Sequence, residues 1–379
     1  MTLAAYLDYN AGAPARPEVV VAMTATLTEP GNPSSIHGLG RAARHRMEQA
    51  RARVAALVSA DPAGVIFTSG GTEANALVLA GTGRQRRLVS AIEHPSVFDH
   101  GPAETIPVHG TGLVDLTALE ALLAADARPA VVSVMLANNE TGVIQPVAEI
   151  ARLCHARGAL LHCDAAQAAG RIPVALDGLG ADFLTLSAHK LGGPAGTGAL
   201  VMADGGFPLA PILRGGGQER RRRAGTENLS GIVGMGVAAG IARDDVMLGH
   251  PISDLREMRD RLEREALKSV PQCVIISGGA SRLPNTTCLA LPGLAGQTQV
   301  MALDLAGVAV SAGAACSSGK VSESRVLAAM GFAPELRGSA IRVSLGWASR
   351  PGDVDMFLAA WTDLARRKGF EVAEAADAA

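Results

Sequence analysis

The sequence predicts an α/β protein: a mostly parallel sheet with helices on both faces, followed by a smaller α+β unit. Three observations carry this. Short apolar, β-branched runs alternate with helix-like stretches through the first two-thirds of the chain, the pattern of successive βα units. Thr72, His94, Asn139, Asp164 and Lys190 fall just after those runs, where open α/β sheets place their ligands. Near residue 250 the alternation gives way to a charged amphipathic stretch and then to short strand-like runs.

In chain order, the run 65–69 turns through Gly70-Gly71-Thr72 into a helix over 73–80. Strands follow at 88–92, 130–136, 159–164 and 182–187, with helices at 116–124 and 147–157. The amphipathic helix at 254–267 leads to strands at 274–277, 285–291, 308–311 and 340–344. We expect a large domain over 16–250 and a small domain built from 1–15 and 251–379.

Composition limits the function. At 379 residues, with 48% hydrophobic and 18% charged residues, the chain can bury a sizeable core. A formal net charge of -2 argues against direct nucleic-acid binding and against a polybasic membrane anchor. No apolar run has membrane-span length and the first residues carry no signal-peptide pattern, so a cytoplasmic location is expected. The 5 cysteines are scattered without CxxC pairs, which suits neither a disulfide framework nor a zinc site. His162, Cys163 and Asp164 would alternate across a strand and cannot all face one metal ion.

The chemistry centres on Lys190, in the run Thr185-Leu-Ser-Ala-His-Lys-Leu-Gly-Gly-Pro-Ala-Gly-Thr-Gly198. A lysine at a strand end, beside Ser187 and His189 and before a glycine-rich turn, has the layout of a Schiff-base lysine for pyridoxal phosphate. A solvated surface lysine is the ordinary alternative, so the reading leans on the other partners. Gly71 and Thr72 open a helix, where free N–H groups make an anion cup; a plain helix cap is the alternative. Asp164 can sit against the ring nitrogen or cap the next turn, and Gln167 can reach the ring hydroxyl or lie on the surface. His94 can stack on the ring and shuttle protons. Asn139 can orient the ring hydroxyl or the substrate, or simply make a turn. Arg342 can hold a substrate carboxylate or form an edge-strand salt bridge. The run of arginines at 220–223 reads as a solvated or inter-subunit loop. Cys316 lies among Gly, Ala and Ser, which predicts an exposed, reactive thiol on a mobile loop; Cys154, Cys163, Cys273 and Cys288 have apolar neighbours and read as buried.

These residues, with Tyr6-Leu-Asp-Tyr-Asn10, Thr68-Ser-Gly-Gly-Thr-Glu73, Asn138-Asn-Glu-Thr-Gly142, Gly225-Thr226, 311–319 and Ile341-Arg-Val-Ser-Leu-Gly346, resemble the cysteine desulfurases of the class V aminotransferase family. The similarity is to the group with a long catalytic-cysteine loop. It implies a fold type I transferase, with a mostly parallel seven-stranded sheet in the large domain, and pyridoxal 5'-phosphate as cofactor. It implies conversion of L-cysteine to L-alanine, with sulfur passing to a persulfide on Cys316. The implied cofactor set is Gly71, Thr72, His94, Asn139, Asp164, Gln167, Ser187, His189 and Lys190, with Thr226 serving the neighbouring subunit's site in a homodimer. Arg342 and Asn139 would bind the substrate. A sulfur-acceptor protein such as an iron–sulfur scaffold is the implied partner. A selenocysteine lyase or another class V enzyme is the alternative.

Overall fold

Seven strands form the central sheet, in the order β2-β8-β7-β6-β5-β3-β4. The computed structural model describes residues 5–312 and 323–373. A short strand β1 (Ala5–Tyr6) is followed by α1 (Pro17–Leu27) and α2 (Gly38–Leu57). Then come β2 (Val65–Thr68), α3 (Gly71–Gly81), β3 (Arg86–Ser90), α4 (Pro95–Phe98) and β4 (Glu104–Ile106). The alternation continues with α5 (Leu116–Ala125), β5 (Ala130–Ser133), α6 (Val147–His155), β6 (Leu160–Asp164), α7 (Leu176–Leu179), β7 (Phe183–Ser187) and β8 (Gly198–Met202). β3 to β7 pair in parallel, while β8 runs antiparallel to both β7 and β2. β2, β5, β7 and β8 are buried throughout, so they read as continuous apolar runs without alternation. Beyond β5 the chain keeps contact with its neighbour, since Val134 and Leu136 donate to His162 and Asp164 carbonyls at 3.0 and 2.9 Å.

The long helix α8 (Leu229–Leu248) packs against α1 and α2. Glycines permit the close approach: a Cβ at Gly236 would lie 2.6 Å from the backbone of Ala50. The same glycines deprive α8 of an amphipathic stripe, so pattern reading passes over it.

The C-terminal part begins with α9 (His250–Ser269) and β9 (Val274–Ile275), followed by β10 (Thr286–Ala290), α10 (Gly296–Leu305), β11 (Val308–Ala309) and β12 (Ser311–Ala312). It closes with α11 (Arg325–Ala329), α12 (Pro334–Ser339), β13 (Ala340–Ser344) and α13 (Pro351–Arg367). β12-β13-β10-β9 make a four-stranded antiparallel sheet around a second apolar cluster with Phe357 and Trp361 at its centre. The single strand expected at 308–311 is a correction: it divides at Val310, with β11 pairing to β1 and β12 to β13. Among the described residues no helix is long and apolar enough to cross a membrane.

Candidate active site

The parallel strands end at one edge of the large sheet, and a cavity of about 930 Å³ opens there. β2 delivers Gly71 and Thr72 through the turn at Gly70, β6 delivers Asp164 and Gln167, and β7 delivers Ser187, His189 and Lys190. His94 and Asn139 arrive from the loops after β3 and β5, and Arg342 from β13. Thr226 is exposed and does not line this cavity. Cys316 lies outside the described residues.

Asp164 is 8% exposed and both its oxygens are engaged. Oδ1 accepts from the Ala166 N–H at 2.9 Å, and Oδ2 accepts from Asn75 Nδ2 at 2.8 Å. It therefore caps the following turn and faces the cavity at once. Lys190 Nζ donates to the carbonyls of Asn10 and Ala11, the latter at 2.9 Å. His189 is pushed down to about 4 by burial, with Lys190 and Arg171 adding repulsion, so its ring is neutral at pH 7. Gln167 is buried rather than on the surface: it donates to the Asn10 carbonyl at 3.0 Å and accepts from Arg171 at 2.6 Å. Arg342 sits on an interior strand, not an edge. It holds Asp8 at 2.7 Å and the Asn139 carbonyl at 3.0 Å.

Several residues of the site escape sequence reading. Asn10 is buried and bonds Thr286, Arg171 and Asn139. Arg171 fans over Asn10, Gln167 and the Tyr9 carbonyl. Glu93, next to His94, is fully buried and pushed up to about 8 by burial, with the nearby Asp164 charge adding to the rise. The only signal for Asn75 is a lone amide in the apolar stretch of α3. His162, by contrast, is taken up by Ser133 and Thr185 at 2.8 and 3.0 Å. Among the described residues no group of three or more His, Cys, Asp and Glu is placed to hold a metal ion.

The donor set fits pyridoxal phosphate. The N-terminus of α3 has no side-chain cap, so its N–H groups face the cavity beside Thr72. A Cβ at Gly71 would stand 3.5 Å from Ser187 Cβ and fill the cradle between α3 and β7. An amine, a buried carboxylate and an imidazole complete the set the cofactor requires.

A family description, aminotransferase class V, matches residues 5–357. A cysteine desulfurase of Cereibacter sphaeroides is 43% identical over 369 residues, covering 93% of each chain. One of Klebsiella pneumoniae is 40% identical, over 93% of this chain and 91% of its own. The crystal structure of a NifS-like protein from Rickettsia africae superposes with a TM-score of 0.89 at 35% identity, covering 96% of this chain and 99% of the other. The chain belongs to the class V aminotransferase family, whose members depend on pyridoxal phosphate. Within it, the chain falls with the cysteine desulfurases.

Proposed function

We propose that this cysteine desulfurase takes L-cysteine, releases L-alanine and passes the sulfur to Cys316 as a persulfide. The observation that carries the residue assignment is the meeting of Lys190, His94, Asp164 and the open α3 N-terminus on one cavity. When bound, pyridoxal phosphate supplies the electron sink at the substrate's α carbon. Gly71, Thr72, Ser187 and His189 would hold its phosphate, Asp164 a proton at its ring nitrogen, and Gln167 and Asn139 its hydroxyl edge. Lys190 would be its covalent anchor and the base that moves the proton at the α carbon. Arg342, fixed by Asp8, presents its guanidinium to the substrate carboxylate. The Cys316 thiolate attacks the substrate sulfur; a sulfur–sulfur bond forms as the carbon–sulfur bond breaks, and the carbon fragment takes a proton and leaves as alanine.

The finer parts of this reading concern assembly. We place the cofactor-binding domain at 16–250 and the domain carrying the Cys316 segment at 1–15 and 251–379; the separate sheets and apolar clusters support that division. A homodimer is supported by the exposed Val20, Val21, Leu27, Leu39, Ile212 and Leu213, large apolar side chains on α1, on α2 and in the 205–217 loop, and by the exposed Ile36 between the two helices. Thr226, exposed and away from its own cavity, would serve the partner's site. The enzyme would act in the cytoplasm and pass the sulfur to an acceptor protein such as an iron–sulfur scaffold. The test is purified protein given L-cysteine and a thiol reductant. Yellow protein releasing alanine and sulfide in equal amounts supports the reading, with Cys316→Ser losing sulfur transfer but not the colour. Colourless protein that pyridoxal phosphate cannot reconstitute overturns it.

A further inference from the structure

We propose that Asn75 and Ser96 are positioning residues of this site: together they fix the His94 ring in its Nε2–H form and tie it to the Asp164 carboxylate. The inference rests on the reading of His94 and Asp164 as cofactor-facing residues.

Asn75 is 1% exposed, on the face of α3 turned toward β6. Its Nδ2 lies 2.8 Å from Asp164 Oδ2 and 2.9 Å from Ser96 Oγ. An amide nitrogen has two hydrogens, and here each has its own acceptor. The opposite amide orientation would set the carbonyl oxygen against the carboxylate, so chemistry fixes which end is nitrogen. Ser96 Oγ, having accepted from Asn75, has its single hydrogen left for His94 Nδ1, 2.8 Å away. The Ser96 backbone N–H is also directed at Nδ1, at 3.1 Å, and a backbone N–H can only donate. Nδ1 is therefore an acceptor, and the neutral ring carries its proton on Nε2.

Two further points favour a positioning role over packing. Asn75 Oδ1 is buried without a hydrogen-bond partner. A leucine of similar volume would avoid that cost, so the position is explained by its NH₂ group and not by its shape. The chain of contacts also joins separate elements: α3 supplies Asn75, the end of β6 supplies Asp164, and α4 supplies Ser96, with His94 as its N-cap. The ring cannot turn without breaking a link that ends on Asp164. The consequence for chemistry is directional. Protonating Nδ1 would displace two donors, so the neutral His94 ring donates a hydrogen bond through Nε2 and leaves proton removal to Lys190.

The test is long-range proton–nitrogen NMR on the full chain with ¹⁵N-labelled histidine, stripped of cofactor and loaded, with His94 identified by its loss in His94→Gln. The expected wild-type ring is protonated at Nε2 and bare at Nδ1. Ser96→Ala shifts the tautomer ratio toward Nδ1–H by about fivefold, the worth of one ordinary hydrogen bond, and Ser96→Thr restores it. A fluorescence titration of stripped protein with pyridoxal phosphate gives the second readout. Asn75→Leu weakens binding by about tenfold, as loss of a bond to a charged group should, but has no effect in an Asp164→Asn background. A wild-type ring protonated at Nδ1, an unchanged ratio in Ser96→Ala, or an Asn75→Leu effect that simply adds to Asp164→Asn overturns the proposal. If Ser96→Ala does not fold, the wild-type spectrum and the Asn75 cycle decide. Full turnover of L-cysteine by His94→Gln and Asp164→Asn would instead sink the underlying reading of the site.

Discussion

Ser324 donates to Glu140 across 2.5 Å, joining the start of α11 to the turn that carries Asn139. Ser324 also caps α11 by accepting from the Leu327 N–H at 3.0 Å. Glu140 is buried, and burial raises its carboxyl above the usual range while the Ser324 hydroxyl and Arg342 pull the other way. Ser324 stands eight positions after Cys316, so the contact anchors the chain close to the proposed nucleophile.

Ser324→Ala leaves a buried carboxyl oxygen without its donor and a helix without its cap. We expect a loss of ~1–3 kcal/mol in stability, read by denaturant unfolding. Cofactor content should stay at the wild-type level, while persulfide formation on Cys316, followed by thiol labelling, slows. A wild-type labelling rate would show that the anchor does not serve that segment.

Glu93 gives a pH signature. Its carboxyl titrates near 8 in the folded chain because it is buried, whereas an unfolded glutamate titrates near 4.5. Between those values the folded state holds a proton that the unfolded state has lost, so this group makes stability fall as pH rises from about 4.5 to 8. Glu93→Gln keeps a neutral, similarly shaped group and should flatten that part of the curve. Thermal unfolding of both proteins at pH 5 and at pH 8 checks it: the variant should gain relative to the parent at the higher pH.

The pair Arg51–Glu219 is buried and bidentate, with both nitrogen–oxygen distances at 2.8 Å, and Glu219 accepts from the Phe67 N–H as well. It draws the 218–221 turn onto β2, and Glu219, Arg220 and Arg221 take left-handed backbone conformations, with φ of 42°, 56° and 67°. Glu219→Ala leaves the buried guanidinium with only the more exposed Glu48, 3.1 Å from its Nε, and the Val65 carbonyl, and should cost ~3 kcal/mol, the low end for a broken buried pair, whereas the double change Arg51→Met with Glu219→Leu should recover most of it. Arg221 is exposed, and Arg221→Gly should be neutral or stabilise by ~1 kcal/mol. Urea unfolding of the four proteins checks all three expectations.

Arg171 is the buried cation behind the lysine. Burial pushes its guanidinium down to about 9, with Arg342 adding repulsion, and it remains charged at pH 7. Arg171→Met removes the donors to Asn10, Gln167 and Tyr9. Each orphaned acceptor costs ~1–3 kcal/mol. Because Asn10 and Gln167 also frame Lys190 and the cavity, affinity for pyridoxal phosphate should fall alongside stability; unchanged affinity in a folded variant would show that the cluster is a scaffold only.

The fold was legible where physics writes a local pattern. The βα alternation and the cavity-lining residues after each strand, Thr72, His94, Asn139, Asp164 and Lys190, are visible because strand, turn and lining residue follow one another in the chain. α8 was not legible: its glycines serve a close approach to α2 and erase the stripe that marks a surface helix. The division at Val310 was hidden because two partners, β1 and β13, compete for one apolar run, and only tertiary pairing chooses between them. Within the site, Gln167 could be read as a ring partner or as a surface residue, because its partner Asn10 lies 157 positions away. Asn75 had only the faint mark of a lone amide in an apolar helix, and Arg171 had none. Each is a polar side chain whose meaning comes from what distant parts of the chain place around it: Ser96 and Asp164 for Asn75, Tyr9 and Asn10 for Arg171.

Both ends of the described chain are built into the same corner. β1 pairs with β11, Asn10 donates to Ser344 at 2.9 Å, and the carbonyls of Asn10 and Ala11 receive the Lys190 amine. A ribosome must therefore deliver the penultimate element before the first dozen residues can settle. The two carbonyls that receive the Lys190 amine are thus held in place by β13, an element made long after the lysine itself.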